Sequence, residues 1–222
     1  LRQSEMKKDK NIILDNFIWR FAERCGAQLV TAVVTLLLAR ILMPEDYGKT
    51  ALVAVFINIL QVFIDSGLGT ALIQKKDADD LDFSSVFYFN FAVCLVLYAG
   101  MFIAAPYIAA FYKDSSLTPV VRVASLTLVF SGVKGIQQAY VSRNMLFKRF
   151  FFATLGGTLF SAFLGLGLAY AGFGVWALVA QQLSNTAIDT LILWLTVHWR
   201  PKAVFSWQRL KGLLSYGWRL LA

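Results

Sequence analysis

Ionisable and hydrogen-bonding side chains recur at helical spacing inside long apolar runs. At about 100° per residue, Asn16, Arg20, Glu23, Arg24, Gln28, Thr31 and Thr35 share a sector of about 140°. Asn58, Gln61, Asp65 and Gly69 share about 80°, and so do Thr127, Ser131, Lys134, Gln138 and Ser142. Gln182, Asn185, Asp189 and Thr196 share about 60°. Charges at membrane depth are costly, so they are paired, face water, or serve function. Four polar stripes among six apolar runs point to a water-filled cavity between helices, which hydrophobic packing alone does not require.

Covalent chemistry finds no such support. There is no phosphate-cradling glycine loop, no zinc spacing, and no nucleophile–base pair near the lone His198. Cys25 and Cys94 fall inside apolar runs and read as small packing residues. The chain is therefore expected not to be an enzyme and to carry no cofactor or metal.

Each stripe also has a structural reading. Arg20, Glu23 and Arg24 have the spacing of an intrahelical ion-pair cluster near a helix end. Asp65 precedes Ser66-Gly67-Leu68-Gly69 and suits a bend. Lys134 lies deep in its run, which favours a cavity role, while Asp189 is able to pair with it or with an arginine. Arg122 faces another side of the same helix and reads as interfacial. Gly157, Ser161 and Gly165 let two helix backbones approach closely.

The elements that hold these stripes follow from composition. The 222 residues are 58% hydrophobic and only 15% charged, with a mean hydropathy of +0.63. Six spans are predicted over 13–39, 47–73, 83–105, 117–141, 151–171 and 175–198, each near the ~20 residues that cross a ~30 Å hydrocarbon core. Short links between them imply antiparallel neighbours in one bundle. Residues 1–12 form an N-terminal segment, 13–198 a six-span lobe, and 199–222 a link and the start of a seventh helix. No cleavable signal peptide is expected. The chain starts at Leu1 and stops at Ala222 within an apolar pattern, which suggests a piece of a longer protein.

The net charge of +8 concentrates on one side. Lys and Arg gather in the N-terminal segment, at Lys75 and Lys76, at Arg143 to Arg149, and at Arg200 to Lys211, against only Arg40, Lys49 and Lys113 in the opposite links. The positive-inside rule then puts the N-terminus in the cytoplasm and assigns the excess base to membrane orientation, with no nucleic-acid partner. Tyr47, Tyr107, Tyr112 and Trp176 on one side, and Trp194, Trp199 and Trp207 on the other, suit aromatic belts.

A resemblance sharpens this reading. The loop Arg40-Ile41-Leu42-Met43-Pro44-Glu45-Asp46-Tyr47-Gly48, followed by Asp65-Ser66-Gly67-Leu68-Gly69, resembles the bacterial polysaccharide transporter family. These are lipid-linked oligosaccharide flippases of the multidrug/oligosaccharidyl-lipid/polysaccharide exporter superfamily, and the likeness is to their colanic-acid and teichuronic-acid exporter branch. The resemblance implies the N-terminal lobe of a two-lobed transporter of 12–14 helices in the bacterial inner membrane. Phe17-Ile18-Trp19-Arg20 and Tyr216-Gly217-Trp218-Arg219 suggest the internal repeat of such proteins.

It also implies an undecaprenyl-diphosphate-linked oligosaccharide as substrate, moved by alternating access. Arg20, Arg24 and Lys134 are then expected to attract the diphosphate, and Gln28, Asn58, Gln61, Gln138, Gln182 and Asn185 to bond sugar hydroxyls. Asp65, Glu23 and Asp189 are the candidates for coupling a proton or Na⁺. Polysaccharide polymerase machinery and the lipid bilayer are the expected partners. Two rivals stay open: a multidrug or toxin cation antiporter of the same superfamily, and a membrane polysaccharide polymerase or ligase.

Overall fold

A computed structural model of the chain describes residues 2–64, 68–75 and 77–221, and side chains within residues 18–214 of these. The described residues form nine helices and no strand: α1 (Arg2–Ile41), α2 (Pro44–Ile64), α3 (Leu68–Gln74), α4 (Asp80–Phe111), α5 (Leu117–Ala124), α6 (Leu126–Arg143), α7 (Phe147–Tyr170), α8 (Val175–Thr196) and α9 (Trp207–Leu221). Among the described residues, five stretches are long and apolar enough to cross a membrane: Ile18–Ile41, Pro44–Gln74, Asp80–Phe111, Leu117–Arg143 and Phe147–Tyr170. The protein is thus an all-α, multi-pass membrane protein. Helix α8 occupies the expected sixth span, but Gln181, Gln182, Asn185 and Asp189 dilute its apolar sequence below that standard.

Helix α1 begins at Arg2, well before the predicted start at 13, and three further spans differ from expectation for local reasons. The third span is longer, because a reciprocal capping box between Asp79 and Asp82 starts α4 early and Pro106 is accommodated inside it. The fourth is split at Ser125, whose hydroxyl donates to the Val121 carbonyl at 2.6 Å, a back-bond that bends helices. The second is carried by α2 and α3; Asp65, Ser66 and Gly67 lie outside the described residues. So do the side chains of residues 1–12, of Phe17 and of 216–219, and with them the repeat signature.

Helix α7 packs between α1 and α8; α8 continues to α6, and α6 to α4. Helix α2 leans on α8, α6, α5 and α4 but, among the described residues, makes no comparable contact with α1, although only a short loop joins the two. Close approach follows the glycines. A Cβ on Gly157 would stand 2.9 Å from the Asn185 backbone oxygen, and one on Gly165 would stand 2.9 Å from Gln181 Cβ. The small-residue stripe therefore seats α7 directly on α8.

Gly132 does the same between α6 and α4, where a Cβ would overlap Cys94 Sγ. Gly132→Ala is expected to destabilise the protein by about 1–3 kcal/mol through overpacking. Adding Cys94→Ala should recover most of that loss, read by thermal unfolding in detergent; equal melting of the single and double variants would show that the contact is soft.

The segment between α8 and α9 is bound to the start of α4. The Lys202 and Ser206 backbone N–H groups donate to Ser84 and Ser85 hydroxyls at 3.0 and 2.9 Å. Irregular backbone lacks its own ladder, so buried serines supply the partners. Lys202 pairs with Asp80, and Arg209 with Asp79, each at 2.6 Å, while Lys75 meets the fully buried Asp82 at 2.6 Å.

Trp199 corrects the aromatic-belt expectation. It is 7% exposed, packed against Phe83 and Tyr140, with its indole N–H donating to Asp80 Oδ1 at 3.1 Å. Its carbonyl accepts from the buried Gln137 at 3.2 Å. The indole is a peg in the core because this link folds back instead of running along an interface.

Candidate functional site

The divergence of α1 from α2 leaves a cavity of about 410 Å³ bounded by α1, α2, α7 and α8. Its polar wall is Thr31 and Thr35 from α1, Tyr47 and Thr50 from α2, Thr158 and Ser161 from α7, and Gln181, Gln182 and Asn185 from α8. Val34, Ala51, Ala54, Ala162 and Leu178 complete it, so no lining residue is charged. The short residues of α7 matter here, because longer ones would fill the space.

Two predicted stripes therefore meet at this cavity: the C-terminal part of the first and Gln182 and Asn185 of the last. Tyr47 of the loop motif joins them, and its buried hydroxyl finds no hydrogen-bond partner among the described residues. Gln181 was missed, since it lies off the predicted stripe by one residue. The signal that could have found it is the run of carboxamides at 181, 182 and 185, read as a cluster and not as one face.

Gln138 and Ser142 line a separate space of about 230 Å³ with Thr70 and Asn90, between α3, α4 and α6. Asn90 donates to the Gly132 carbonyl at 3.3 Å and was also missed, as a lone polar residue in a span without charge.

Lys134 and Asp189 do not face an open cavity as free charges. Lys134 Nζ pairs with Asp189 Oδ2, with side chains 21% and 6% exposed, and the other carboxylate oxygen has no hydrogen-bond partner among the described residues. Asp189 sits one turn beyond Asn185 on α8, beneath Gly157.

The arginines stand near the start of the Ile18–Ile41 span, midway along α1. Arg20 Nη1 lies 3.2 Å from Glu23 Oε2, and its guanidinium covers the rings of Phe147 and Phe150 at 5.3 and 4.9 Å. Glu23 also accepts from Thr154 at 3.4 Å. Arg24, Gln28 and Asn58 are exposed, and Gln61 is half-buried.

The loop motif is a helix junction. Arg40 is the basic residue in the last turn of α1, and Pro44 opens α2 with Glu45 and Asp46 in its first turn, each sign suited to the helix dipole. Asp46 Oδ1 lies 3.0 Å from where a Gly174 Cβ would be, and Gly174 has φ +53°, so glycine is required on both counts. Gly48 faces open space.

Among the described residues no cluster of His, Cys, Asp or Glu is arranged to hold a metal ion. The arrangement suits reversible binding of a polar, uncharged group within an apolar bundle.

Comparison with known proteins gives a consistent result. A family model described as "Polysaccharide biosynthesis protein" matches residues 37–222. The succinoglycan biosynthesis transport protein ExoT of Rhizobium meliloti is 25% identical over 206 residues, 93% of this chain and 42% of that protein. The teichuronic acid biosynthesis protein TuaB of Bacillus subtilis is 30% identical over 164 residues, 71% of this chain and 33% of that protein. The lipopolysaccharide biosynthesis protein WzxC of Escherichia coli is 24% identical over 160 residues, 70% and 32% of the two chains. The chain thus spans less than half the length of the curated relatives it matches. No solved structure matches it.

Proposed function

Since this chain belongs to the polysaccharide biosynthesis protein family, we propose that it forms the N-terminal, six-span lobe of a flippase for polyprenyl-diphosphate-linked oligosaccharide. In this reading α8 is the sixth span, the N-terminus is cytoplasmic, and a second lobe alternates with this one between inward-open and outward-open states. The membrane is the bacterial inner membrane, and polysaccharide polymerase machinery receives the product on its outer side.

The observation that carries the proposal is the uncharged, hydroxyl- and carboxamide-lined cavity inside an apolar bundle. A sugar headgroup does not cross hydrocarbon unaided, and such a wall replaces its water. The same observation disfavours a cation antiporter, because no carboxylate lines the cavity. A coupling proton or Na⁺ acts at an acidic side chain; Glu23 and Asp189 are each already matched to a cation.

The diphosphate is assigned to the arginines at the start of the Ile18–Ile41 span. Arg24 is exposed there, and Arg20 is held in place by Glu23 and two rings. Replacing both Arg20 and Arg24 with Gln in the full-length protein should remove charge-assisted hydrogen bonds of about 1.5–3 kcal/mol each. The half-saturating concentration for lipid-linked oligosaccharide in proteoliposomes should then rise at least about tenfold per lost bond. Normal membrane insertion with undiminished polymer export would remove the arginines from the diphosphate site.

A further inference from the structure

The cavity wall has a polarity of its own. The Thr31 hydroxyl donates to the Ala27 carbonyl at 2.8 Å, and Thr158 to the Thr154 carbonyl at 2.7 Å. Ser161 donates to the Thr158 carbonyl at 3.0 Å, and Thr50 to the Tyr47 carbonyl at 3.0 Å. A hydroxyl has one hydrogen and two lone pairs. With the hydrogen committed to the helix, each of these oxygens offers the cavity only acceptor capacity. Donors are left to the carboxamides of Gln181, Gln182 and Asn185, which also accept, to the Thr35 hydroxyl, and to the Tyr47 phenol, which has no partner among the described residues.

Three ligand chemistries meet this wall differently. A diphosphate only accepts, so four of the wall's hydroxyl oxygens have no hydrogen to give it, and no cation lines the cavity to balance its charge. An organic cation finds no carboxylate. A neutral polyol donates and accepts from every hydroxyl, and adjacent hydroxyls match the paired C=O and NH₂ of a carboxamide. The volume of about 410 Å³ lies in the ~300–1,000 Å³ range of small-molecule sites.

From this we infer that the cavity between α1, α2, α7 and α8 is a subsite for the uncharged carbohydrate portion of the cargo, entered by sugar rings and closed to the diphosphate. Gln181, Asn185 and Tyr47 select the sugar, and the acceptor-rich hydroxyls exclude the anion. The inference rests on the transporter reading and divides the substrate between two places: carbohydrate here, diphosphate at Arg20 and Arg24 where the Ile18–Ile41 span begins.

The test uses the full-length protein in a cysteine-free background that retains polymer export, with Thr35→Cys placed on the cavity wall. Labelling by an uncharged maleimide is timed in the presence of two probes. One is the repeat-unit oligosaccharide released from host lipid extracts by mild acid; the other is inorganic pyrophosphate. At about ten times its Kd the oligosaccharide should slow labelling about tenfold, as occupancy of 1 + [L]/Kd requires. Pyrophosphate should leave the rate unchanged. Asn185→Leu should abolish the protection, and Gln182→Leu, at an exposed position where folding is not at stake, should weaken it.

Protection by pyrophosphate, or none by the oligosaccharide, overturns the subsite. Transfer of lipid-linked oligosaccharide across proteoliposomes is measured on the same preparation. Transfer without protection overturns this inference alone, whereas absence of transfer overturns the transporter reading beneath it.

Discussion

Lys134→Met is expected to destabilise the protein by about 3–5 kcal/mol, because it strands a buried carboxylate without its counter-charge. Asp189 is 6% exposed, and one of its oxygens already lacks a hydrogen-bond partner among the described residues. Asp189→Leu alone should cost a similar amount by stranding the ammonium of Lys134. The double variant Lys134→Met/Asp189→Leu should return close to the parent, since an apolar pair of similar volume removes both desolvation penalties. Chemical unfolding of the full-length protein in detergent, arranged as a double-mutant cycle, reads the coupling. Additive losses would show that the two charges do not stabilise one another. Transport by the double variant adds a second answer: retained export makes the pair structural, and lost export from a stable double variant makes one of the charges part of the transport cycle.

The second large effect is expected at Asp82. Asp82→Ala removes the partner of Lys75 and half of the capping box that starts α4, the box alone being worth about 1 kcal/mol. It also takes a contact from Arg209, 3.5 Å away. The segment 199–209 should loosen, and trypsin cleavage after Lys202 and Arg209 should accelerate about tenfold for each ~1.4 kcal/mol lost from the closed state. An unchanged cleavage pattern would mean that Trp199 and the serine bonds hold the segment without the charges.

The same docking should weaken in acid. The Asp79 carboxyl is held below the usual range first by the Asp82 backbone N–H and then by Arg209, whose own pKa the Asp79 carboxylate raises. A carboxylate depressed in the folded state contributes fully above its unfolded value of about 3.9. That contribution disappears as pH falls through the lower, folded value.

Much of this was legible because membrane helices advertise themselves through length and apolarity. All five qualifying stretches coincide with predicted spans, and the close α7–α8 approach was readable from Gly157, Ser161 and Gly165. The site was less legible, since angular position on one helix does not say which helix it meets. Thr31, Thr35, Gln182 and Asn185 share a cavity; Gln138 has its own; Lys134 has an internal partner. Arg20 shows the same ambiguity: its spacing fits an ion pair with Glu23, and the rings of Phe147 and Phe150 come from a helix more than a hundred positions later. Trp199 misled because an aromatic residue beside His198 and Arg200 looks interfacial, while its burial depends on Phe83 and Tyr140 from distant segments.

The seating of α7 on α8 bears on how the chain is made. An Asp costs about 2.5–3.5 kcal/mol at the centre of an isolated membrane helix, and α8 carries Asp189 together with three carboxamides. As a sixth span it gains little from meeting lipid alone. It follows α7 through the turn at Gly172 and Gly174, both at positive φ, and lies against the glycines of that helix. If α8 is the sixth span of the proposed lobe, it follows a strongly apolar sibling already shaped to receive it, and the expected route into the bilayer is as a hairpin with α7. Lengthening the turn at Gly172, with Gly174 kept against Asp46, should leave the α7–α8 packing almost untouched while allowing α8 to miss the membrane, so the shortness of this corner serves biogenesis.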